Sequence, residues 1–403
     1  MRVLHLVTNT EGGAGRAALR LHQAQKIVGI DSILLTRQSK YSYSTKSKMI
    51  QTFFSIFGKC ITLIGKIISK SEYGLVTPFS SPVLGLQEIF DLKPDLVHIH
   101  NWYNFISIDE IKKIMKKYPT IFTLHDERLL TGGCHYTYNC NSFHISCTDC
   151  PAIKIGQHLI SYSKNNFDSI FNMNIQYGII SPSNWLLQKA KLAPVGKNAL
   201  VSRKILNIIG DEFRVEKYTK RKNLIPTILF VASNLEAHIK GLDMLLEAGN
   251  RYCTKYNLEL RICLIGEGQC PTISEKNDRL FIEKMGLLTN PELKSRYLDS
   301  DLVAVVSRED NSPNVIGEAM SLGLPVLGTK VGGIPEIIID GFNGVIVDLN
   351  SESICDGLFR AIVQLSLDTM GENAFKSSQT QYSIENIVDL HLRSYGEVIE
   401  NHR

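Results

Sequence analysis

Eleven short runs, apolar on both faces, punctuate this sequence and alternate with stretches of helical periodicity. In the first half they are RVLHLVT (2–8), DSILLTR (31–37), DLVHIHN (95–101), TIFTLHD (120–126) and YGIISPS (177–183). In the second half they are TILFVAS (227–233), ELRICLIG (259–266), RLFIEK (279–284), LVAVVS (302–307), PVLGT (325–329) and GVIVD (344–348). A strand apolar on both faces is covered on both faces. Strands of that kind, separated by helices, imply parallel sheets layered between helices.

The pattern runs once, pauses at the polar connector RVEKYTKRKN (214–223), and starts again. At 403 residues the chain exceeds what one core usually serves. The expected fold is therefore α/β, with two Rossmann-like domains whose parallel sheets face a cleft. The expected division is an N-terminal domain over 1–205, a linker over 206–225, a C-terminal domain over 226–385, and a last helix over 386–403 that crosses back to the first domain. Ligands of such sheets bind beyond the carboxyl ends of the strands.

Composition narrows the class. The first residues, MRVLHLVTNT, hold too short an apolar run for a secretory signal, and no uncharged run approaches a membrane span. The expectation is a cytoplasmic protein, in which stable disulfides are disfavoured. Six lysines (40, 46, 48, 59, 66 and 70) fall within residues 40–70 with no acid among them, more than the whole net charge of +4. The basicity is local, which argues against a nucleic-acid-binding field.

The most informative segment is SREDNSPNVIGEAMSLGLPVLGTKVGGIPEII (307–338). A strand ends at Ser307, acids follow, and Ser312-Pro313 read as the N-cap and first-turn proline of a helix. The N–H groups of Asn314 and Val315 would then form an anion site. Asp310 and Glu318 bracket it. The competing reading is an ordinary capped helix with surface acids. Two further features stand at strand ends, the glycine turn GGAGR (12–16) and His125 in TLHD, and Lys240 opens the helical segment KGLDMLLEA.

The 307–338 segment resembles the nucleotide-sugar site of the retaining glycosyltransferases of family 4, which have the GT-B fold. The family pattern of Glu, seven residues, Glu, then Ala-Met-x-x-Gly-x-Pro-Val and Gly-Gly-x-x-Glu reads here Asp310, Glu318, AMSLGLPV and VGGIPE, with Glu309 beside Asp310. The resemblance implies a sugar transferred from a nucleoside diphosphate (UDP or GDP) to a hydroxyl of a glycan or lipid-linked acceptor, in bacterial surface polysaccharide assembly. It implies catalytic roles for His125, Lys240 and Asp310. It places the donor on Gly12, Gly13, Gly15, Arg16, Lys240, Glu309, Asp310, Asn314, Val315 and Glu318. Relatives carry an Arg six positions before the lysine; here that position is Asn234, and Arg16 and Arg308 are candidates to compensate. The resemblance implies no redox cofactor and no catalytic metal. Two rival readings keep the fold: a nucleotide-sugar epimerase or hydrolase, and a non-catalytic sugar-nucleotide-binding partner subunit.

Two segments need separate accounts. CHYTYNCNSFHISCTDC (134–150) holds four of the nine cysteines: Cys134, Cys140, Cys147 and Cys150. The last two form a C-x2-C knuckle, and four thiolates can close a structural zinc site. His135 and His144 are alternative ligands, and free thiols or disulfides are the other readings. A subgroup of the family carries a similar TGGCHY…C…CxxCP segment, seen among capsular and exopolysaccharide-type transferases. The basic amphipathic segment 46–70 includes IQTFFSIFGKCITLIGKIISK (50–70), whose apolar positions follow helical spacing. It reads either as a helix packed on its own domain or as a peripheral contact with the anionic inner face of the cytoplasmic membrane.

Overall fold

The computed structural model describes residues 1–37, 48–70, 74, 76–80, 86–138, 140–220, 223–273 and 275–402; the side chains of residues 48–55 and 57 also lie outside the description. Lys40 and residues 46–47 of the basic segment fall outside it. The chain forms two compact units, Met1–Ile208 with Ile384–Arg403, and Ile209–Ser383.

The first unit is built on β1 (Arg2–Val7), α1 (Gly12–Ile27), β2 (Asp31–Leu35), α2 (Lys48–Ile68), α3 (Leu86–Leu92), β3 (Leu96–Asn101), α4 (Ile108–Lys117), β4 (Thr120–Thr123), α5 (Gln157–Phe171), β5 (Gly178–Ser181), α6 (Asn184–Ala190), α7 (Pro194–Lys197) and β6 (Val201–Lys204). All its strands are parallel, in the order β2-β1-β3-β4-β5-β6. β6 does not announce itself in the sequence. VSRK is an edge strand with only Val201 buried, so it lacks the apolar run of the inner strands. A capping box built by Ser107 and Glu110 starts α4, and its buried Ile111, Ile114 and Met115 seat it on the sheet.

The second unit holds β7 (Thr227–Asn234), α8 (Leu242–Tyr256), β8 (Leu260–Glu267), β9 (Leu280–Lys284), α9 (Asn290–Leu298), β10 (Leu302–Val305), α10 (Asn314–Ser321), β11 (Val326–Thr329), β12 (Gly344–Val347), α11 (Ser351–Phe359) and α12 (Leu367–Gln381). Its sheet is also parallel, in the order β12-β11-β10-β7-β8-β9. The final helix, α13 (Ile384–Asn401), belongs to the first unit. Ile387, Val388, Tyr395 and Val398 pack there with Val3, Ile121 and Ile180. Arg203 of β6 fixes its outer side through Ser394 at 2.8 Å and Glu397 at 2.7 Å.

In each sheet the strand order reverses once, between β1 and β3 in the first and between β7 and β10 in the second. These are the places where loops diverge and leave room for a ligand. The strand-to-helix turn after β1 is tight. A Cβ at Gly15 would lie 2.5 Å from the Asn9 carbonyl oxygen. Glycine is therefore required where α1 passes the turn.

α2 divides its apolar residues between two faces. Ile61 and Ile68 are buried, with Gly58 and Gly65 on the same side. Ile56, Leu63 and Ile67 are each more than half exposed, and Ile64 is 42% exposed. Exposed Lys59 and Lys66 lie beside them. Packing on its own unit therefore accounts for one face only. Among the described residues, no helix is long and apolar enough to cross a membrane.

Candidate functional site

In the second unit, the loops after β7 and β10 meet at the reversal point. Arg308 N–H donates to the Ile239 carbonyl at 2.7 Å, and Gly333 N–H to the Asp310 carbonyl at 3.0 Å. Thr329 Oγ1 donates to the Ser307 carbonyl at 2.7 Å. Gly332 has φ +57, and a Cβ there would lie 1.8 Å from the Asp310 oxygen. The trailing VGG of the motif thus exists to let one backbone pass directly over another.

That lacing fixes the charged groups. Lys240 Nζ lies 2.6 Å from Asp310 Oδ2, so the two loops present one ion pair at the carboxyl edge of the sheet. Glu309, Asp310 and Asn311 are buried. Glu318, also buried, accepts from the Tyr297 hydroxyl at 3.1 Å. Asn314 and Val315 open α10, as the motif requires. The cap differs from expectation: Pro313, extended at φ −62 and ψ 121, holds the N-cap position and no side chain caps the helix. Pro313 has the φ of a helix but an extended ψ, so the helix starts one residue later than Ser312-Pro313 suggests. Arg308 is committed elsewhere, gripping Asp243 with both terminal nitrogens at 2.9 and 2.6 Å. Asn234 accepts from the Glu236 N–H at 2.9 Å and shapes its own turn.

In the first unit, His125 lies two residues past the end of β4. It lines a small cavity with Ala14 of α1, His100, Asn101, Asp126 and Arg128. The glycine turn and the histidine, far apart in sequence, therefore border one space. Arg16 is exposed near the start of α1. Burial keeps His125 neutral, pulling it down to about 4. Its Nε2 lies 3.2 Å from His100 Nδ1. Burial pushes the Asp126 carboxyl up, but His135, 2.7 Å away, and the Arg128 N–H outweigh it and leave it low. Burial also pulls Arg128 down to about 10; its guanidinium lies over Tyr103 at 3.9 Å and Trp102 at 4.9 Å. Composition alone gave no sign of Asp126, Arg128, His100 or Tyr297. A signal did exist in β3, where His98 and His100 share one face of an otherwise apolar strand and must find polar partners.

The cysteine loop closes against the same unit. Buried Glu127 accepts from the Thr137 N–H at 2.7 Å and pairs with Lys189, which also reaches Thr137 Oγ1 at 2.7 Å. Cys134, Cys140, Cys147 and Cys150 line one cavity of about 20 Å3, room for a single ion or water. All are free thiols. Cys134 donates to the Cys150 sulfur, which pulls Cys150 down to about 7 and pushes Cys134 up. The donor set suits zinc in kind. Tetrahedral thiolate zinc holds sulfurs about 3.8 Å apart. Among the described residues, however, the one group of three or more such donors within 4.8 Å of each other is His5, His98 and His100. An ion would have to draw the sulfurs inward. His135 is held by Asp126.

Residues 225–368 match the family model described as glycosyl transferases group 1. The chain is 24% identical over 326 residues, 76% of each chain, to an uncharacterized glycosyltransferase of Methanocaldococcus jannaschii. It is 20% identical over 420 residues, covering 93% of this chain and 92% of the other, to the putative colanic acid biosynthesis glycosyl transferase WcaC of Escherichia coli. Among solved structures, Anabaena HepE in complex with UDP-glucose superposes with a TM-score of 0.62 at 14% identity, over 98% of this chain and 99% of that one. The protein is a glycosyltransferase of the GT-B type carrying a group 1 domain.

The buried imidazoles make the first unit acid-sensitive. His125 and His391 are lowered to about 4 and His5 to about 3, each first by burial, and His98 and His100 well below the usual value. The unfolded chain therefore binds more protons than the folded one below about pH 6.5. Stability is fully present above that pH and is lost as pH falls toward 4, by up to about 1.4 kcal/mol per pH unit for each histidine. Melting curves between pH 7.5 and 4.5 should fall. Hydrogen exchange should open β1, β3 and α13 before the second unit; a flat profile would contradict the neutral cluster.

Proposed function

We propose that this glycosyltransferase transfers a sugar from a UDP- or GDP-sugar to a hydroxyl of a glycan or lipid-linked acceptor, with retention, in assembly of a bacterial surface polysaccharide. The observation that carries the reading is the Lys240–Asp310 pair beside the start of α10, at the carboxyl edge where strand order reverses. The likeness to WcaC supports the polysaccharide role. The motif residues support a family 4 type of site.

In this reading the bond from the anomeric carbon to the diphosphate breaks and one to the acceptor oxygen forms. The acceptor's proton goes to the leaving phosphate. Lys240 and the N–H groups of Asn314 and Val315 meet the charge that grows on the diphosphate. Asp310, with Glu309, holds sugar hydroxyls, and buried Glu318 takes the ribose hydroxyls. Gly12, Gly13 and Gly15 let backbone approach the donor with Arg16 beside them, and His125 contacts the transferred sugar. No oxidation state changes, so no redox cofactor is needed.

Calorimetric titration with UDP and with GDP, in EDTA, tests the donor site. One nucleotide should bind saturably, and Glu318→Ala should abolish that binding. Binding of neither, or equal binding by the mutant, would overturn the site.

The exposed face of α2 supports peripheral contact with an anionic membrane. Its apolar side chains would enter the interface while Lys59 and Lys66 each add about 1 kcal/mol against anionic lipid. The protein should sediment with anionic vesicles and not with neutral ones, and Lys59→Glu with Lys66→Glu should release it. Equal sedimentation with both vesicle types would refute the contact.

For the cysteine loop the proposal is one structural zinc on Cys134, Cys140, Cys147 and Cys150, supported by their shared cavity. Metal analysis of protein purified without chelator should find about one zinc per chain. Four reactive thiols and no metal would leave Glu127–Lys189 and hydrogen-bonded thiols as the loop's supports.

A further inference from the structure

The turn after β4 buries a cation. Asp126 Oδ1 accepts from the Arg128 N–H at 2.9 Å and starts a 3-10 turn over Arg128–Leu130. Leu129 and Leu130 are buried with it, and Arg128 is only 4% exposed. The guanidinium is pinned in place. Its Nη2 donates to the Thr77 carbonyl at 2.9 Å, and the Thr77 N–H donates to the Gly133 carbonyl at 2.9 Å. The rings of Tyr103 and Trp102 lie against it at 3.9 and 4.9 Å.

These contacts leave the charge half answered. Nε and Nη1 are buried, and among the described residues no group accepts from either. An aromatic face attracts a cation but is no substitute for an anionic oxygen. Asp126 is the acid whose charge acts on Arg128, yet its oxygens are committed. Oδ2 lies 2.7 Å from His135 Nδ1, and Oδ1 holds the Arg128 backbone. Buried charges are ordinarily paired, so a cation kept in this state marks a place for an incoming anion. The place is the cavity beside His125. Arg128 lines it with His100, Asn101, Trp102, His125 and Asp126, and its volume of about 20 Å3 admits one oxygen-sized group. Burial keeps His100 and His125 neutral, while Arg128, lowered to about 10, stays charged.

We propose that Arg128 is a specificity-determining residue that receives an anionic oxygen of the substrate, carried by a carboxylated sugar or by a phosphate, in the cavity beside His125. Its link to transfer rests on the place of His125 in the sugar site; the anion site itself lies within the first unit. A neutral hydroxyl would fit the same space but would leave the guanidinium without a counter-charge. Charge is therefore what the site selects.

Trp102 supplies the readout, because its ring lies 4.9 Å from the guanidinium carbon and the chain has only 2 tryptophans. In a Trp185→Phe background, Trp102 emission is followed as glucuronate, inorganic phosphate or glucose is added. One or both anions should bind saturably, about tenfold or more tighter than glucose. The anion that binds better tells whether a carboxylate or a phosphate is the group received. Arg128→Gln should abolish the preference over glucose. Arg128→Lys keeps a charge without the planar fork and should weaken the preference; it carries the test if Arg128→Gln does not fold. No response to either anion, equal affinity for glucose, or a preference retained in both variants would overturn the inference. The titration uses no nucleotide. A protein that binds neither UDP nor GDP would overturn the donor site, while Arg128 is still judged by the anions.

Discussion

A parallel strand cannot be joined to its neighbour by a tight turn; a crossover must carry the chain back. Every strand of such a sheet therefore delivers its carboxyl end to the same edge. In this protein the groups with chemical potential gather at those edges. Lys240 follows β7 and Asp310 follows β10, the two strands between which order reverses. Gly12–Arg16 follow β1, and the residue that ends β3 is Asn101, a wall of the His125 cavity. The sheets set where polar side chains can converge without interrupting a core.

Convergence has a cost, and the two units meet it differently. The second unit uses backbone. Gly332 passes over Asp310 so closely that no side chain fits, and the Asp310 carbonyl finds the Gly333 N–H before any ligand arrives. Asp310 and its partner Lys240 are thereby held in place by the backbone around them. The first unit uses side chains. Buried imidazoles, an amide and a phenol satisfy one another completely along the His5–His100–His125 and Gln25–Tyr395–His98 bonds. A fully paired network of this kind is tolerated in a core where a half-paired one is not.

Much of the architecture was legible because periodicity is local. Inner strands such as Leu302–Val305 are apolar on both faces and stand out; the edge strand Val201–Lys204 is half exposed and does not. The motif around Asp310 and Glu318 was legible because its glycines and proline constrain backbone directly. Its helix cap was misplaced because serine and proline adjoin, and only the backbone angles show which of them precedes the first turn. The basic segment was ambiguous for a real reason: α2 has two apolar faces, one taken by the core through Ile61 and Ile68 and one exposed at Ile56, Leu63 and Ile67.

By itself the sequence determined the two parallel-sheet units, the glycine-bearing turns and the acids and lysine at their strand ends. Each of these follows from side-chain periodicity or backbone freedom over a few residues. Only the tertiary structure decided which groups pair. Arg308 goes to Asp243 rather than to the edge where Lys240 meets Asp310. Gln25 meets Tyr395 across 370 positions of chain. His100 meets His125 only when β3 and β4 pair, because a hydrogen bond depends on distances in space, which no local pattern encodes.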